Sequence, residues 1–318
     1  MQRDEIGRVC MEGFEGEAER VIELKNLTYR YEAVAVLREL TTSLSSPKIY
    51  GLMGRNGAGK TTLLSLMNGY IKGEEGALKI FGESPFDNPR VAVNTSYHGK
   101  SDFKEEGKKV ADLLAFYQRY RPNFEMDNAK KLLGDFDIPL DKSIKKLSQG
   151  KQSALNGILG LTAGTPVTLL DEVYVGMDAP SRTRMYRAIL DEQMRRPRLM
   201  ILSTHMVSEM DYLFDHVLIL KEGKLLIDSP VDEVLENGIA VSGEKSKVEG
   251  FIENFQVFYR EALGSMEKAV IYGKISNSQR QRGLEEGLGF EAVSLQDLFI
   301  HLTEGKEKTD RKRETEGK

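Results

Sequence analysis

Residues 54–61 read GRNGAGKT, the spacing G-x-x-x-x-G-K-T. Gly54, Gly57 and Gly59 let the chain curl with its N–H groups turned inward. A helix starting at the end of that curl adds its positive end, so the loop can cradle phosphate oxygens. Lys60 is placed to neutralise the β- and γ-phosphates of a nucleotide, and the Thr61 hydroxyl to bind Mg2+. The candidate nucleotide-binding set here is Gly54, Arg55, Asn56, Gly57, Ala58, Gly59, Lys60, Thr61 and Thr62. Farther along, VTLLDE (167–172) closes an apolar run with two adjacent carboxylates. On a buried strand both acids emerge at the C-terminal end, where ligands sit in open α/β sheets. Asp171 then suits the Mg2+ shell, and Glu172 suits the general base toward an attacking water. Two acids at a strand end are common in enzymes; the phosphate loop before them gives the pair its meaning.

These residues need a scaffold of strands that end at one edge, and the sequence supplies one. KIYGLMG (48–54), VTLLDEV (167–173), LMILSTH (199–205) and HVLILKEG (216–223) are short apolar runs suited to strands buried on both faces. Helix-length segments alternate with them, which predicts an α/β fold with a mainly parallel sheet. Between the first two runs, VADLLAFYQRY (110–120) and NAKKLLGDF (128–136) carry helical spacing within a charged stretch, read as a helical insertion over about 100–160. Past about 238 the character changes: QVFYREA (256–262), KAVIYGKI (268–275) and FEAVSL (290–295) are candidate strands of a small C-terminal α/β domain. The expected organisation is an extension over 1–20, a nucleotide-binding domain over 21–237, the small domain over 238–303, and a disordered tail over 304–318.

Composition narrows the function classes. A chain of 318 residues with 40% hydrophobic content can bury a sizeable core. Its single cysteine, Cys10, cannot form an internal disulfide, which fits a reducing cytoplasm. The formal net charge of −4 carries no basic excess, so nucleic acid is not the expected partner. The start is more charged than expected of a signal peptide, and apolar runs stop short of the roughly 18 residues that span a bilayer. If the chain works at a membrane, it docks onto one.

The segment KKLSQGKQSALNGILGL (145–161), about 20 residues before the acidic strand, narrows the choice among phosphate-loop proteins. Here the sequence resembles the ATP-binding-cassette (ABC) ATPases, whose signature LSGGQ reads Leu147-Ser148-Gln149-Gly150-Lys151 in this chain. Taken alone, LSxG is as readily a serine cap on an amphipathic helix; its place between the two phosphate motifs favours the signature. The resemblance implies an ABC-type nucleotide-binding domain with a RecA-like core, an antiparallel β subdomain and a helical insertion. It implies that two such subunits, identical or not, close around ATP and Mg2+, with Ser148 and Gly150 of one approaching the γ-phosphate held by the other. It also implies that Tyr31, 29 positions before Lys60, stacks on adenine; an ordinary core or surface tyrosine is the alternative. Asp178, in GMDA (176–179), matches the end of the dimer-contact loop, and His205 the switch histidine that senses the γ-phosphate. Glu172, His205 and Lys60 are then the catalytic residues, and Thr61 and Asp171 the Mg2+ ligands. The segments 116–150 and 294–306 are similar to small bacterial exporter ATPases of the bacitracin-resistance and acetoin-operon type, which work with a separate transmembrane permease at the inner face of the cell membrane.

Several positions depart from the family pattern. No glutamine occurs between Lys60 and Gln118, so the usual Mg2+-contacting glutamine is absent and Ser96, Tyr97 or His98 takes its place. Val173 follows Glu172 where proline is usual, Val175 replaces a common serine, and Lys151 replaces the signature glutamine. Slow turnover or an unusual coupling interface is the expected consequence. The competing functions are a non-transport regulatory ABC ATPase and an ATP-dependent binding module with negligible turnover. A GTP switch lacks its guanine-reading N/T-K-x-D segment.

Overall fold

The computed structural model describes residues 20–74, 77–99 and 107–303. The expected extension with Cys10 lies outside the described residues except for Arg20, and so does the tail 304–318. The chain divides into two compact units. One ends at His205 and resumes over Leu213–Asp228; the other comprises Met206–Tyr212 and everything from Ser229.

In the first unit, β1 (Arg20–Tyr31) and β2 (Val34–Ser45) form an antiparallel ribbon that β4 (Leu78–Ile80) extends to three strands. Its apolar residues, such as Ile22, Leu24, Leu40 and Leu44, join a core with Leu52, Leu64 and Leu169 of the larger sheet region. That larger sheet has six strands in the order β5-β6-β7-β3-β8-β9: β3 (Lys48–Gly54), β5 (Thr95–His98), β6 (Val167–Asp171), β7 (Leu199–Thr204), β8 (His216–Lys221) and β9 (Lys224–Pro230). β3, β5, β6, β7 and β8 are parallel, and β6 and β7 are buried along their whole length, which is why their sequences run apolar without alternation. The four runs expected as strands are therefore β3, β6, β7 and β8. All of them deliver their C-terminal ends to one edge.

The helices of this unit are α1 (Lys60–Met67), α2 (Pro89–Asn94), α3 (Val110–Tyr120), α4 (Met126–Asp135), α5 (Gln149–Thr162) and α6 (Ala179–Arg195). The α3 and α4 helices bury single stripes, Val110 and Leu114 in one and Ala129 and Leu133 in the other. By contrast α5 is buried all round from Ala154 to Thr162, so it is the central helix of the insertion.

The second unit carries α7 (Val231–Asn237), β10 (Gly238–Glu244), α8 (Lys245–Ile252), β11 (Gln256–Leu263), β12 (Met266–Tyr272), α9 (Asn277–Glu285), β13 (Gly289–Ala292) and α10 (Leu295–Thr303). Its antiparallel sheet has the order β11-β12-β10-β13, the split βαββαβ arrangement. Val241, Val248, Ile252, Ala269, Ile271 and Leu288 form its core. The unit starts at Ser229, earlier than the 238 read from sequence, and takes in Met206–Tyr212 because α10 packs on the 207–209 turn. Its central strand β10 is absent from the three strands expected by sequence.

Candidate functional site

The glycine-rich segment links β3 to α1, and its backbone leaves little choice of residue. Gly59 stands at φ 108°, and a Cβ there would lie 2.6 Å from Leu37 Cδ2 and 3.2 Å from Val36 O. Gly57 is also left-handed, at φ 83°, while Gly54 has Ala58 and the Leu220 carbonyl against the place of its missing Cβ. The crest Arg55, Asn56 and Gly57 is exposed, whereas Ala58, Gly59 and Lys60 are buried beneath it. Thr61 is exposed and Thr62 buried behind it on α1. The Lys60 Nζ donates to Gly54 O at 2.7 Å and lies 3.5 Å from Glu172 Oε1. Exposed backbone, left-handed glycines and a buried ammonium at a helix start fit a polyphosphate.

The two acids at the end of β6 differ in environment. Asp171 is buried: its Oδ2 accepts from Thr61 Oγ1 at 2.8 Å and from Tyr97 Oη at 3.0 Å, and its Oδ1 accepts from Ser203 Oγ. Ser203 Oγ in turn accepts the Glu172 N–H at 3.1 Å. Glu172 has a left-handed backbone, φ 51°, which turns the chain at the strand end. Its Oε1 lies 3.0 Å from His205 Nδ1. A hydroxyl and a carboxylate meeting at one point are hard oxygen donors, the set that suits Mg2+ beside phosphates. Of the three residues offered for the missing glutamine, Tyr97 is the one at the acid. Ser96 pairs with Thr165 at 2.9 Å, and His98 is buried beside Tyr117 and Gly160. Burial, and then the neighbouring Asp171, push the Tyr97 phenol well above its ordinary range and keep it a donor, while burial lowers His98 to about 3.

A second group gathers at the start of α5. Ser148 caps the helix and accepts from the Lys151 N–H at 3.4 Å. At Gly150 a Cβ would lie 2.5 Å from Gly176 O, so the loop 172–178 rests directly on the helix, and Ser153 Oγ donates to Val175 O at 2.6 Å. Lys151 is committed within its own chain, its Nζ donating to Asp137 O. Asp178 caps α6 by accepting from the Ser181 N–H at 2.9 Å; hydrogen bonding from Ser181 holds its carboxyl below the ordinary value. Tyr31 stands apart at the end of β1, half exposed, with its ring edge-on to Tyr29 at 5.0 Å. The structure thus joins Lys60, Thr61, Asp171, Glu172 and His205 through direct contacts, and places Ser148, Gly150 and the 176–178 loop together in another group.

Two residues of the first group escape the sequence reading. Ser203 is one position before the end of β7 and holds both acids. Tyr174 is buried, its hydroxyl 2.8 Å from Thr204 Oγ1, and it accepts the His205 N–H at 3.2 Å. Burial raises its phenol to about 12. The only signal for Ser203 is a polar residue in an apolar run two positions before His205; for Tyr174 there is none.

With this geometry, the comparisons agree among themselves. A family model described as ABC transporter matches residues 37–175. The ABC transporter ATP-binding protein YtrB of Bacillus subtilis is 27% identical over 221 residues, 70% of this chain and 76% of that protein. The bacitracin transport ATP-binding protein BcrA of Bacillus licheniformis is 28% identical over 222 residues, 67% of this chain and 71% of that one. A solved ATP-binding subunit of an ABC transporter superposes with a TM-score of 0.60 at 21% identity, over 67% of this chain and 91% of that one.

Proposed function

We propose, from the premise that this chain belongs to the ATP-binding-cassette ATPase family, that it binds and hydrolyses MgATP to drive an exporter whose membrane-spanning permease is a separate chain. Its ATPase domain is assigned to the first compact unit, from about 21 to His205 and over Leu213–Asp228. The observation that carries the reading is the position of Glu172 Oε1, 3.5 Å from Lys60 Nζ and 3.0 Å from His205 Nδ1 at the mouth of the phosphate loop.

The β- and γ-phosphates of ATP take the loop Gly54–Thr62, and the γ-phosphate draws the Lys60 ammonium from Glu172 toward itself. Glu172, freed of that cation, accepts a proton from a water as the water oxygen attacks the γ-phosphorus. The bond from that phosphorus to the β–γ bridging oxygen breaks, leaving ADP and phosphate. Thr61 and Asp171 would hold Mg2+, which would supply neutralisation of the phosphate charge. His205 holds Glu172 and senses the γ-phosphate, and Tyr31 stacks on adenine.

The second group, Ser148, Gly150 and Asp178, is read as the surface offered to a facing ATPase subunit. No helix among the described residues is long and apolar enough to cross a membrane, so the work at the membrane is assigned to a partner. Phe116, Tyr120 and Tyr70 are exposed aromatics, with Tyr70 packed edge-on against Tyr97, and offer that partner a surface linked to the Asp171 site. A transport role is carried over from the bacitracin transport relative, and the export direction from the resemblance of 116–150 and 294–306 to small exporter ATPases. The test is light scattering of Glu172→Gln with and without MgATP, beside wild-type turnover. A dimer that forms only with MgATP, together with wild-type hydrolysis, is expected. A chain that binds no ATP refutes the reading; one that binds ATP yet stays monomeric needs a different chain to complete its sites, or refutes the signature reading of Ser148 and Gly150.

A further inference from the structure

The hydrolytic site contains a buried phenol to which the mechanism above gives no part. Tyr174 lies two residues beyond Glu172, its ring closed off from solvent, and its hydroxyl reaches across to the end of β7. It accepts the His205 N–H at 3.2 Å, stands 2.8 Å from Thr204 Oγ1, and is 3.5 Å from His205 Nδ1. That same Nδ1 is the atom facing Glu172 Oε1 at 3.0 Å. His205 is half exposed, so its neighbours must fix its ring.

We propose that Tyr174 is a positioning residue for hydrolysis: its hydroxyl fixes the backbone of His205 just past β7, from which the ring carries Nδ1 to Glu172. This rests on the ATPase reading of the site. The hydroxyl has one proton, and Thr204 Oγ1 is its nearer partner. While Glu172 is ionised, Nδ1 carries its proton toward Oε1, and the tyrosine proton goes to Thr204. The backbone N–H of His205 occupies the tyrosine oxygen, so the main chain that carries the ring cannot move away from the acid without breaking that bond. Tyr174 also opens the turn that runs to the 176–178 loop, its carbonyl accepting the Met177 N–H at 3.1 Å. The loop that reaches Asp178 and the histidine are thereby tied to one residue, the loop through its carbonyl and the histidine through its hydroxyl.

The test is Tyr174→Phe, which keeps the ring and removes the oxygen, made alone and with His205→Ala. The single variant is expected to lower kcat about 10-fold with KM for ATP and the Kd of a fluorescent ATP analogue within about twofold, since alignment is lost and binding is not. In the His205→Ala background the same change is expected to move kcat by less than about twofold, because its route of action is already gone. An equal loss in both backgrounds marks mere packing and overturns the proposal, as does an unchanged kcat. If Tyr174→Phe does not fold, Thr204→Val takes its place in the same cycle with the same expected pattern. A wild-type chain that does not hydrolyse MgATP refutes the ATPase reading itself; wild-type hydrolysis that Tyr174→Phe leaves intact refutes only the role of Tyr174.

Discussion

Replacing Gly150 by alanine separates what the phosphate loop does from what the start of α5 does. The new Cβ would lie 2.5 Å from Gly176 O, 3.1 Å from Gly176 C and 3.2 Å from Met177 Cα. All three are backbone atoms, so no rotamer relieves the overlap. Reaching ordinary contact requires the helix start and the 176–178 loop to part by about 0.9 Å. Overpacking of this kind costs about 1–3 kcal/mol, and alanine returns about 1 kcal/mol of helix propensity, so the net loss is about 0–2 kcal/mol. The melting temperature should fall by no more than about 8 °C. The effect on turnover should be much larger, since a misplacement near 1 Å of groups that position a substrate costs about 100-fold. Gly54–Thr62 is untouched, so the Kd for a fluorescent ATP analogue should stay at the wild-type value. ATP-dependent dimerisation, read by light scattering in the Glu172→Gln background, should be lost. A Gly150→Ala protein that dimerises and hydrolyses ATP like the wild type would refute the assignment of this helix start and loop to a nucleotide interface.

Ser203→Ala removes the donor to Asp171 Oδ1 and leaves the Glu172 N–H without its acceptor. The expected loss is about 1–3 kcal/mol of stability by thermal melting, with more Mg2+ needed for half-maximal turnover; an unchanged melting temperature would refute it. His98 is held neutral, with its pKa lowered by burial from 6.5 unfolded to about 3 folded. A folded value below the unfolded one means the unfolded chain takes up the proton first as pH falls, so stability is intact above 6.5 and is lost toward 3. At pH 5 the loss amounts to about 2 kcal/mol by linkage. Denaturant unfolding of wild type and His98→Leu at pH 7.5 and pH 5 should show that much less acid sensitivity in the variant; equal sensitivity would refute it.

How much of this site could be read from sequence depends on how local each geometry is. The phosphate loop is a turn, a helix start and three glycines within eight consecutive residues, so spacing alone specifies it. Asp171 and Glu172 announce themselves because an apolar strand must end somewhere, and acids at that end have one edge to occupy. Ser203 and Tyr174 were not legible, since each acts on a partner about 30 positions away, on a strand adjoining only in the fold. β10 was missed for a related reason. Its GIAVSGE has two glycines and little bulk, a poor strand by propensity, and it is held as a strand by β12 on one side and β13 on the other.

The departures at Lys151, Val173 and Val175 fall on one contact surface, between α5 and the loop that follows β6. Val173 is buried and lies 3.7 Å from where a Cβ of Gly157 would be, in ordinary contact beside Met185, which fills that space. Val175 presents its carbonyl to Ser153, an interaction that any residue can make with its backbone, so the common serine is dispensable for it. Lys151 turns away from the helix start to hold Asp137 O, joining α5 to the chain just past α4. Tyr174 supplies from within the loop a hydroxyl that reaches His205. Altered positions that each found a partner inside the chain differ from a site decaying through disuse, where partners would be lost one by one. The loop, the helix and the histidine are joined to one another through Gly150, Ser153 and Tyr174, and a joint of this kind resists opening and closing. Slow turnover with the catalytic groups intact is the kinetic form that such a joint takes: wild-type kcat should sit below the median enzyme value of about 10 per second, yet fall further on Glu172→Gln. Steady-state turnover of the two proteins decides it, and equal rates would place the hydrolysis on some other residue.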